Sequence, residues 1–185
     1  LLIASGNFVR AVRLERIDDS SWGWRVAKQF NTDDPDAELV AVTPLGSQLV
    51  AADAKGGSLL IFGESNDGGW SQSETLRTRG FTPGPLATGE FASGTEGVLT
   101  IGEDGFAVIP LGGNRRSLVE VGSWKSSLDG HAPHELAVGD INADGHGDMV
   151  ALDAGEQMME LFTFDDKGDL LHATGFQIYE SQLFS

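Results

Sequence analysis

The sequence predicts an all-β protein built from tandem antiparallel sheets, and three observations support this prediction. Short apolar runs rich in β-branched residues alternate with turns of Gly, Asp, Asn and Ser, which is the pattern of strands and hairpins. No segment shows a sustained helical period of 3.6 residues. A strand-like phrase also recurs four times along the 185 residues at a nearly constant step.

The recurring phrase reads LIAS from Leu2, LVAA from Leu49, VLTI from Val98 and MVAL from Met149. The steps between these starts are 47, 49 and 51 residues. Each phrase is followed by two more apolar runs, and the three later copies have a further apolar segment before the phrase. Four strands per copy are therefore predicted, with the first copy beginning at its second strand. The other predicted strands are 8–15, 24–30, 38–42, 58–64, 70–78, 85–91, 106–111, 117–124, 134–141, 157–164 and 170–180.

Tandem four-stranded units of this length are typical of β-propeller blades, which must pack on each other because one blade cannot bury both of its faces. We predict a single propeller-type domain over 1–185, with blades at about 1–34, 35–82, 83–131 and 132–185. A solenoid or a β-sandwich is the alternative, although a sandwich has no reason to repeat at a fixed step. About four blades with an incomplete first one indicate part of a larger propeller, or a ring closed through another copy, ahead of a lone four-bladed ring.

The charge balance restricts the partners. The chain has 28 Asp and Glu against 12 Lys and Arg, a formal charge of -16. A field of this sign repels nucleic acid and anionic lipid, so neither is an expected partner. No run of about 20 apolar residues occurs, so no membrane insertion is expected. The absence of cysteine excludes disulfides and thiolate chemistry.

The segment AVGDINADGHGD, residues 137–148, carries the strongest chemical signal. Four oxygen-bearing side chains stand at its first, third, fifth and ninth loop positions, and Gly145 at the sixth allows a sharp turn. Hard oxygens at this spacing fit Ca²⁺, whereas Mg²⁺ demands stricter octahedral geometry. His146 would add its backbone carbonyl, with its ring in solvent. The side chains predicted to bind one Ca²⁺ are those of Asp140, Asn142, Asp144 and Asp148.

Two other structures could account for this segment. An EF-hand closes with a glutamate at the twelfth position, which here is Ala151, and its flanks are helices rather than the strands predicted here. A polar hairpin turn is the simpler alternative, because Asn, Asp and Gly dominate turns for conformational reasons. Turn chemistry alone does not require Asp148, which favours the calcium loop.

The pattern over Leu136 to Asp153 resembles the FG-GAP/VCBS repeat, found in integrin α-subunit propellers and in many secreted bacterial proteins. The blade-length repeat extends this resemblance more weakly along the chain. It implies that the loop joins two strands of one blade and that the matching residues bind calcium. The third copy, 89–101, keeps Glu90 but has Ala92 and Gly94 at the third and fifth ligand positions. The second copy, 41–53, has no acidic residue in its loop, so one calcium site is predicted.

Other candidate sites are weaker. His131 and His134 flank a proline, and two histidines fall short of the three or four ligands of a zinc site. The turn 65–70 departs from the Asp-box of sialidase propellers because its tryptophan comes two residues early. Trp24 and Trp70 open matching strands, which favours blade packing over sugar stacking. No serine elbow, phosphate loop or HExxH motif occurs, and no catalytic residue is assigned.

These observations favour a noncatalytic, calcium-stabilised propeller module that serves as a scaffold or as a binding surface for protein or glycan. Exposed blade edges could also self-associate. The alternatives are the propeller of a carbohydrate-active enzyme, such as a polysaccharide lyase or hydrolase, and a lectin. The resemblance implies an extracellular, periplasmic or cell-surface location, although no signal peptide is visible in this sequence.

Overall fold

A computed structural model describes residues 1–66, 68–78, 80, 82–92, 95–102, 105–110, 119–123, 135–153, 157–165, 167 and 170–178. Fifteen strands and no helix occur in these segments. Accordingly, within them no helix is long and apolar enough to cross a membrane. His131 and His134 lie outside the described residues.

The strands form four antiparallel sheets, each with its strands in chain order, which confirms the predicted all-β fold of propeller-type blades. Sheet one contains β1 (Leu2–Ser5), β2 (Phe8–Arg16) and β3 (Trp22–Asn31). Sheet two contains β4 (Leu39–Leu45), β5 (Gln48–Asp53), β6 (Ser58–Glu64) and β7 (Trp70–Arg77). Sheet three contains β8 (Leu86–Ala92), β9 (Thr95–Ile101), β10 (Gly105–Pro110) and β11 (Val119–Ser123). Sheet four contains β12 (Glu135–Gly139), β13 (Asp148–Asp153), β14 (Met158–Phe164) and β15 (Leu170–Gln177).

The apolar pattern of each strand matches how deeply the strand is buried. Strands β5 and β6 are buried along almost their whole length, which explains why QLVAAD and SLLIFGE read as continuous runs of small and apolar residues. The outer strand β7 alternates between exposed and partly buried positions, as its alternating sequence WSQSETLR requires. Sheet two is therefore covered on both faces near its centre and open to water at its outer strand.

Three apolar layers join the four sheets in chain order. Between sheets one and two, the ring of Phe30 lies 5.1 Å from that of Trp70 and 6.5 Å from that of Phe62. The layer between sheets two and three contains Leu45, Val50, Ala52, Leu59, Ile61, Val98 and Ile109. The layer between sheets three and four contains Leu99, Ile101, Val108, Met149, Ala151, Phe162 and Phe164. Each fully buried large side chain contributes about 1.5–3 kcal/mol, so these layers hold the sheets face to face.

Sheet one corresponds to the last three strands of sheet two. Thr32 after β3 donates its backbone N–H to the carbonyl of Asn7 in the β1–β2 turn. Thr78 after β7 makes the same bond to Gly57 in the β5–β6 turn. Sheet one therefore lacks a counterpart of β4, as predicted from the first copy of the repeat.

The predicted alignment of the first copy is wrong by one residue. Leu2 was matched with Leu49, but Leu2 pairs with Ala11 in the way that Val50 pairs with Ile61. The reason is turn length: Gly6 and Asn7 form a two-residue turn, whereas four residues separate β5 from β6. Because side chains alternate between faces, a shift of one residue assigns each to the wrong face.

The third copy also differs from its expected form. The sequence alignment places Glu90, Ala92 and Gly94 at ligand positions of a loop. In the structure β8 continues to Ala92, which pairs with Thr95 at the start of β9. Glu90 is therefore a strand residue paired with Glu96.

Candidate metal centre

The predicted calcium loop connects β12 to β13, and the pair Gly139 and Asp148 closes the hairpin at its base. Asp140 organises the loop from its first position. Its Oδ1 accepts the backbone N–H of Asp144 at 3.0 Å, and its Oδ2 accepts that of Gly145 at 3.0 Å. One carboxylate therefore satisfies two backbone donors on the far side of the loop.

Two residues in left-handed conformations turn the chain back toward Asp140. Ala143 has φ of 63° and Gly145 has φ of 91°. Glycine adopts such a φ readily, whereas alanine does so at some cost. The glycine at the sixth loop position thus has the conformational role that the sequence predicted for it.

Asn142 and Asp144 are linked by their side chains. Asn142 Nδ2 donates to Asp144 Oδ2 at 2.8 Å, and Asn142 Oδ1 accepts the Asp144 backbone N–H at 3.0 Å. Asp144 Oδ1 also accepts the His146 backbone N–H at 2.8 Å. The His146 N–H, followed by the Asn142 amide, lowers the pKa of Asp144 below 3.8. The carboxylate of Asp144 is therefore held in its charged form.

Asp148 is the buried member of the set. Its side chain is fully buried, and Oδ2 accepts the backbone N–H groups of Ile141 at 3.0 Å and Asn142 at 3.2 Å. Oδ1 is also buried but has no hydrogen-bond partner. A buried carboxylate oxygen without a partner is costly, so this atom marks where a cation would be stabilising.

The loop is tied directly to sheet three. The backbone N–H of Gly147 donates to the carbonyl of Glu90 in β8 at 2.7 Å. A Cβ atom added at Gly147 would lie 2.3 Å from this carbonyl oxygen, so only glycine permits the approach. The order of the loop is therefore coupled to the packing of sheet four on sheet three.

The ring of His146 departs from expectation. It was expected in solvent, but the residue is partly buried and its Nδ1 is a buried atom without a hydrogen-bond partner. The loop folds against sheet three one residue later, at Gly147, which carries His146 toward the protein. Its predicted role concerns only the backbone carbonyl.

The donor set of the loop fits a hard cation, although its carboxylates face backbone amides. In the described segments, no group of three or more His, Asp or Glu side chains is already placed to hold a metal ion. The hydrogen bonds explain how three nearby acids coexist, since each carboxylate accepts N–H groups that offset its charge. Carboxylate, amide and carbonyl oxygens are nevertheless the ligands that Ca²⁺ prefers, and the unpartnered Oδ1 of Asp148 gives them a buried anchor.

No comparable loop joins the matching strands of sheet two. Leu45 pairs with Gln48, leaving Gly46 and Ser47 as a two-residue turn. Gly46 has φ of 60°, as tight hairpins require.

Sequence reasoning missed two features of the site, namely the backbone donors to the carboxylates and the contact between Gly147 and Glu90. The glycine after His146 was the available signal for a close backbone approach.

Comparisons with known proteins identify the fold. No protein-family model matches the chain. No curated protein matches it either. Among solved structures, a Lactobacillus plantarum protein is similar with a TM-score of 0.58 and 14% identity, over 99% of this chain and 57% of that one. A candidate 6-phosphogluconolactonase from Bacteroides fragilis is similar with a TM-score of 0.54 and 18% identity, over 94% of this chain and 55% of that one.

A second candidate 6-phosphogluconolactonase, from Bacteroides uniformis, has a TM-score of 0.53 and 17% identity, over 93% of this chain and 55% of that one. The present chain thus spans about half the length of these structures. At these identities the similarity establishes the fold, which is that of propeller-type blades.

Proposed function

We propose that the chain supplies blades to a β-propeller of carbohydrate-related function, in which the β12–β13 loop is an FG-GAP/VCBS-type loop that binds one Ca²⁺. The observation that carries the calcium proposal is Asp148, which is fully buried with one oxygen unpartnered. Five groups would hold the ion, namely the side chains of Asp140, Asn142, Asp144 and Asp148 and the carbonyl of His146.

The ion would serve stability rather than catalysis. Three carboxylates and one dication leave a local charge of -1, compared with -3 for the loop alone, so binding relieves repulsion. Because Gly147 is bonded to Glu90 of β8, a calcium-ordered loop also holds sheet four against sheet three. The resident ion supplies only electrostatic cross-linking of the loop.

A calcium titration of thermal stability tests this proposal. We expect the melting temperature to rise with millimolar Ca²⁺ and to return to its lower value with a chelator, because the ion binds only the folded loop. Asp144→Ala should abolish the difference, whereas Asp36→Ala, which removes an exposed acid of another loop, should keep it. A chain whose melting temperature ignores both Ca²⁺ and chelator has no such site.

The carbohydrate-related function rests on the comparisons. Two of the similar structures are candidate 6-phosphogluconolactonases, which supports an enzyme acting on a sugar lactone. The formal charge of -16 disfavours a phosphorylated substrate, so a neutral lactone is the better fit. Hydrolysis of gluconolactone by the purified protein, measured against its spontaneous rate, tests this function. Failure to hydrolyse lactones would leave the calcium proposal intact.

A noncatalytic binding module is the second candidate function. It is favoured by the candidate metal centre itself, whose carboxylates accept backbone N–H groups of their own loop, an arrangement that suits a structural role. Such a module would present protein or glycan ligands with a rigid surface, outside the cytoplasm, where calcium is abundant enough for loops of modest affinity. Binding on a glycan array without turnover would distinguish this lectin-like role from an enzyme.

A further inference from the structure

The outer face of sheet one carries a cluster of exposed apolar side chains, and nothing in the described structure packs on it. The opposite face of the same sheet is buried against sheet two through Val9 and Phe30. On the outer face, each of the three strands contributes exposed apolar side chains, namely Ile3 at 41% exposure, Leu14 at 50%, Trp24 at 64% and Val26 at 51%. Arg10 and Gln29, which are hydrogen-bonded to each other, share this face.

Sheet four has a matching outer face at the other end of the stack. Its inner face packs on sheet three through Met149 and Phe162. The alternate positions therefore face outward, and many of them in the described strands are apolar, although Thr163, His172 and Thr174 share this face. They include Val150, Leu152, Met159, Leu161 and Phe176, and Phe176 is 45% exposed.

Each outer face carries the counterpart of one residue of an aromatic pair that packs between sheets one and two. In the layer between sheets one and two, Trp70 packs on Phe30 with ring centroids 5.1 Å apart. Trp24 pairs with Leu14 as Trp70 pairs with Glu64, so Trp24 is the counterpart of Trp70 in sheet one.

Phe176 is in turn the counterpart of Phe30. Phe176 pairs with Met159 on β14 as Phe30 pairs with Val9 on β2. The residues that follow confirm the match, since the N–H of Ile178 bonds to Gln157 as the N–H of Thr32 bonds to Asn7. Trp24 and Phe176 thus lie on the outer faces at opposite ends of the stack of sheets, where they do not contact each other.

We propose that these outer faces bind each other between two copies of this chain, with sheet one of each copy packed on sheet four of the other. The new interface would continue the three inter-sheet layers with the same repeat positions, and would place Trp24 of one copy on Phe176 of the second. Two such interfaces related by a twofold axis close a ring and leave neither outer face exposed. This inference goes beyond the proposed function and does not depend on it.

The distribution of charge favours the packing of sheet one of one copy on sheet four of the other. Residues 1–31 contain five Lys and Arg and three Asp and Glu, a balance of +2 in a chain of formal charge -16. Residues 135–177 contain one Lys and ten Asp and Glu, a balance of -9. The basic end of one copy is therefore electrostatically complementary to the acidic end of the other.

The number of sheets is also consistent with a ring of two copies. The chain spans 55–57% of the length of three similar solved structures. Two copies bring eight sheets, which lies within the usual four to eight blades of a propeller.

Sedimentation equilibrium of the purified chain tests the proposal. Between about 1 µM and about 500 µM we expect a shift from the 19.6 kDa monomer to twice that mass. Trp24→Glu and Phe176→Glu should each raise the dissociation constant at least about 30-fold, the effect of removing a central aromatic contact. Val40→Ser, which alters an exposed apolar residue outside both faces, should leave it unchanged.

Mixing the two variants tests the head-to-tail arrangement. An equimolar mixture of Trp24→Glu and Phe176→Glu retains one intact pair of faces, so it should form dimers where each variant alone does not. Circular dichroism of the separate variants checks that both are folded. A wild-type chain that stays monomeric throughout overturns the proposal and leaves the faces to another partner. The proposal is also overturned if both variants still dimerise as the wild type does, or if their mixture forms no dimer.

Discussion

Asp148 is the residue on which the proposed calcium site depends most. Its buried Oδ1 has no partner, while Oδ2 accepts two backbone N–H groups. Asp148→Asn keeps the shape but removes the charge. We expect this variant to lose the calcium-dependent rise in melting temperature while remaining folded without calcium, because a neutral amide is cheaper to bury than a carboxylate.

Thermal denaturation with and without calcium provides the measurement, with Asp36→Asn as the charge-matched control. Retention of the full calcium response by Asp148→Asn would show that this carboxylate is not a ligand.

Gly147 tests the coupling between the loop and the neighbouring sheet. Gly147→Ala places a Cβ 2.3 Å from the carbonyl oxygen of Glu90, a backbone atom that cannot move aside without disturbing β8. We expect a loss of about 1–3 kcal/mol in the free energy of unfolding, the usual cost of overpacking. Urea denaturation measures it. Gly139→Ala is the control, since a Cβ there meets nothing within 4 Å. Equal stability of the two variants would contradict the coupling.

Asp18 gives the clearest pH dependence. The Ser21 hydroxyl, together with Ser20 and backbone donors, lowers the pKa of Asp18 from 3.8 to about 2. Since the folded pKa lies below the unfolded one, the stabilisation is present above pH 3.8 and is lost as the pH falls through about 2. In an NMR titration, Ser21→Ala should raise the pKa toward 3.8 and Ser47→Ala should not. An unchanged pKa in Ser21→Ala would show that the hydroxyl is not its main cause.

At the scale of elements, a threonine after the outer strand fastens it to a turn of the same sheet. The Thr78 hydroxyl donates to the carbonyl of Gly57 at 2.9 Å, and the Thr32 hydroxyl donates to that of Asn7 at 3.1 Å. Thr78→Val keeps the volume and the backbone bond but removes the hydroxyl. We expect about 1 kcal/mol lower stability in urea denaturation, the net value of one hydrogen bond. Thr88→Val, at an exposed position of β8, should cost less.

The elements also show what the sequence could predict. The run 58–64 is predicted as a strand and coincides with β6. A short, continuous apolar run between two turns is typical of a buried strand. The register of LIAS was mispredicted because its residues resemble those of the second copy in two different alignments. Only the lengths of the turns that follow decide which alignment is correct. The ligand positions of the loop follow from spacing, and whether they hold calcium is still a prediction. The hydrogen bonds from backbone N–H groups to the loop carboxylates depend on dihedral angles such as φ of 63° at Ala143. The amino-acid sequence does not reveal these angles.

At the scale of the whole molecule, experiment can separate the effect of charge screening on stability from that of the proposed calcium site. A chain of formal charge -16 repels itself when compact, so any salt that screens this repulsion should raise the melting temperature. A specific site adds a further rise that saturates with concentration and depends on the ion. The two effects therefore differ in their ion dependence.

We expect Ca²⁺ to raise the melting temperature by about 5–10 °C more than NaCl or Mg²⁺ at equal ionic strength. One site filled to about 100 times its dissociation constant contributes about 2.7 kcal/mol, and each kcal/mol moves the transition of a chain this long by about 2–4 °C. Mg²⁺ should fall short because it keeps its waters and demands octahedral ligands. In Asp144→Ala all three salts should act alike. If they already do so in the wild-type chain, screening alone explains the response and the loop is only a hydrogen-bonded turn.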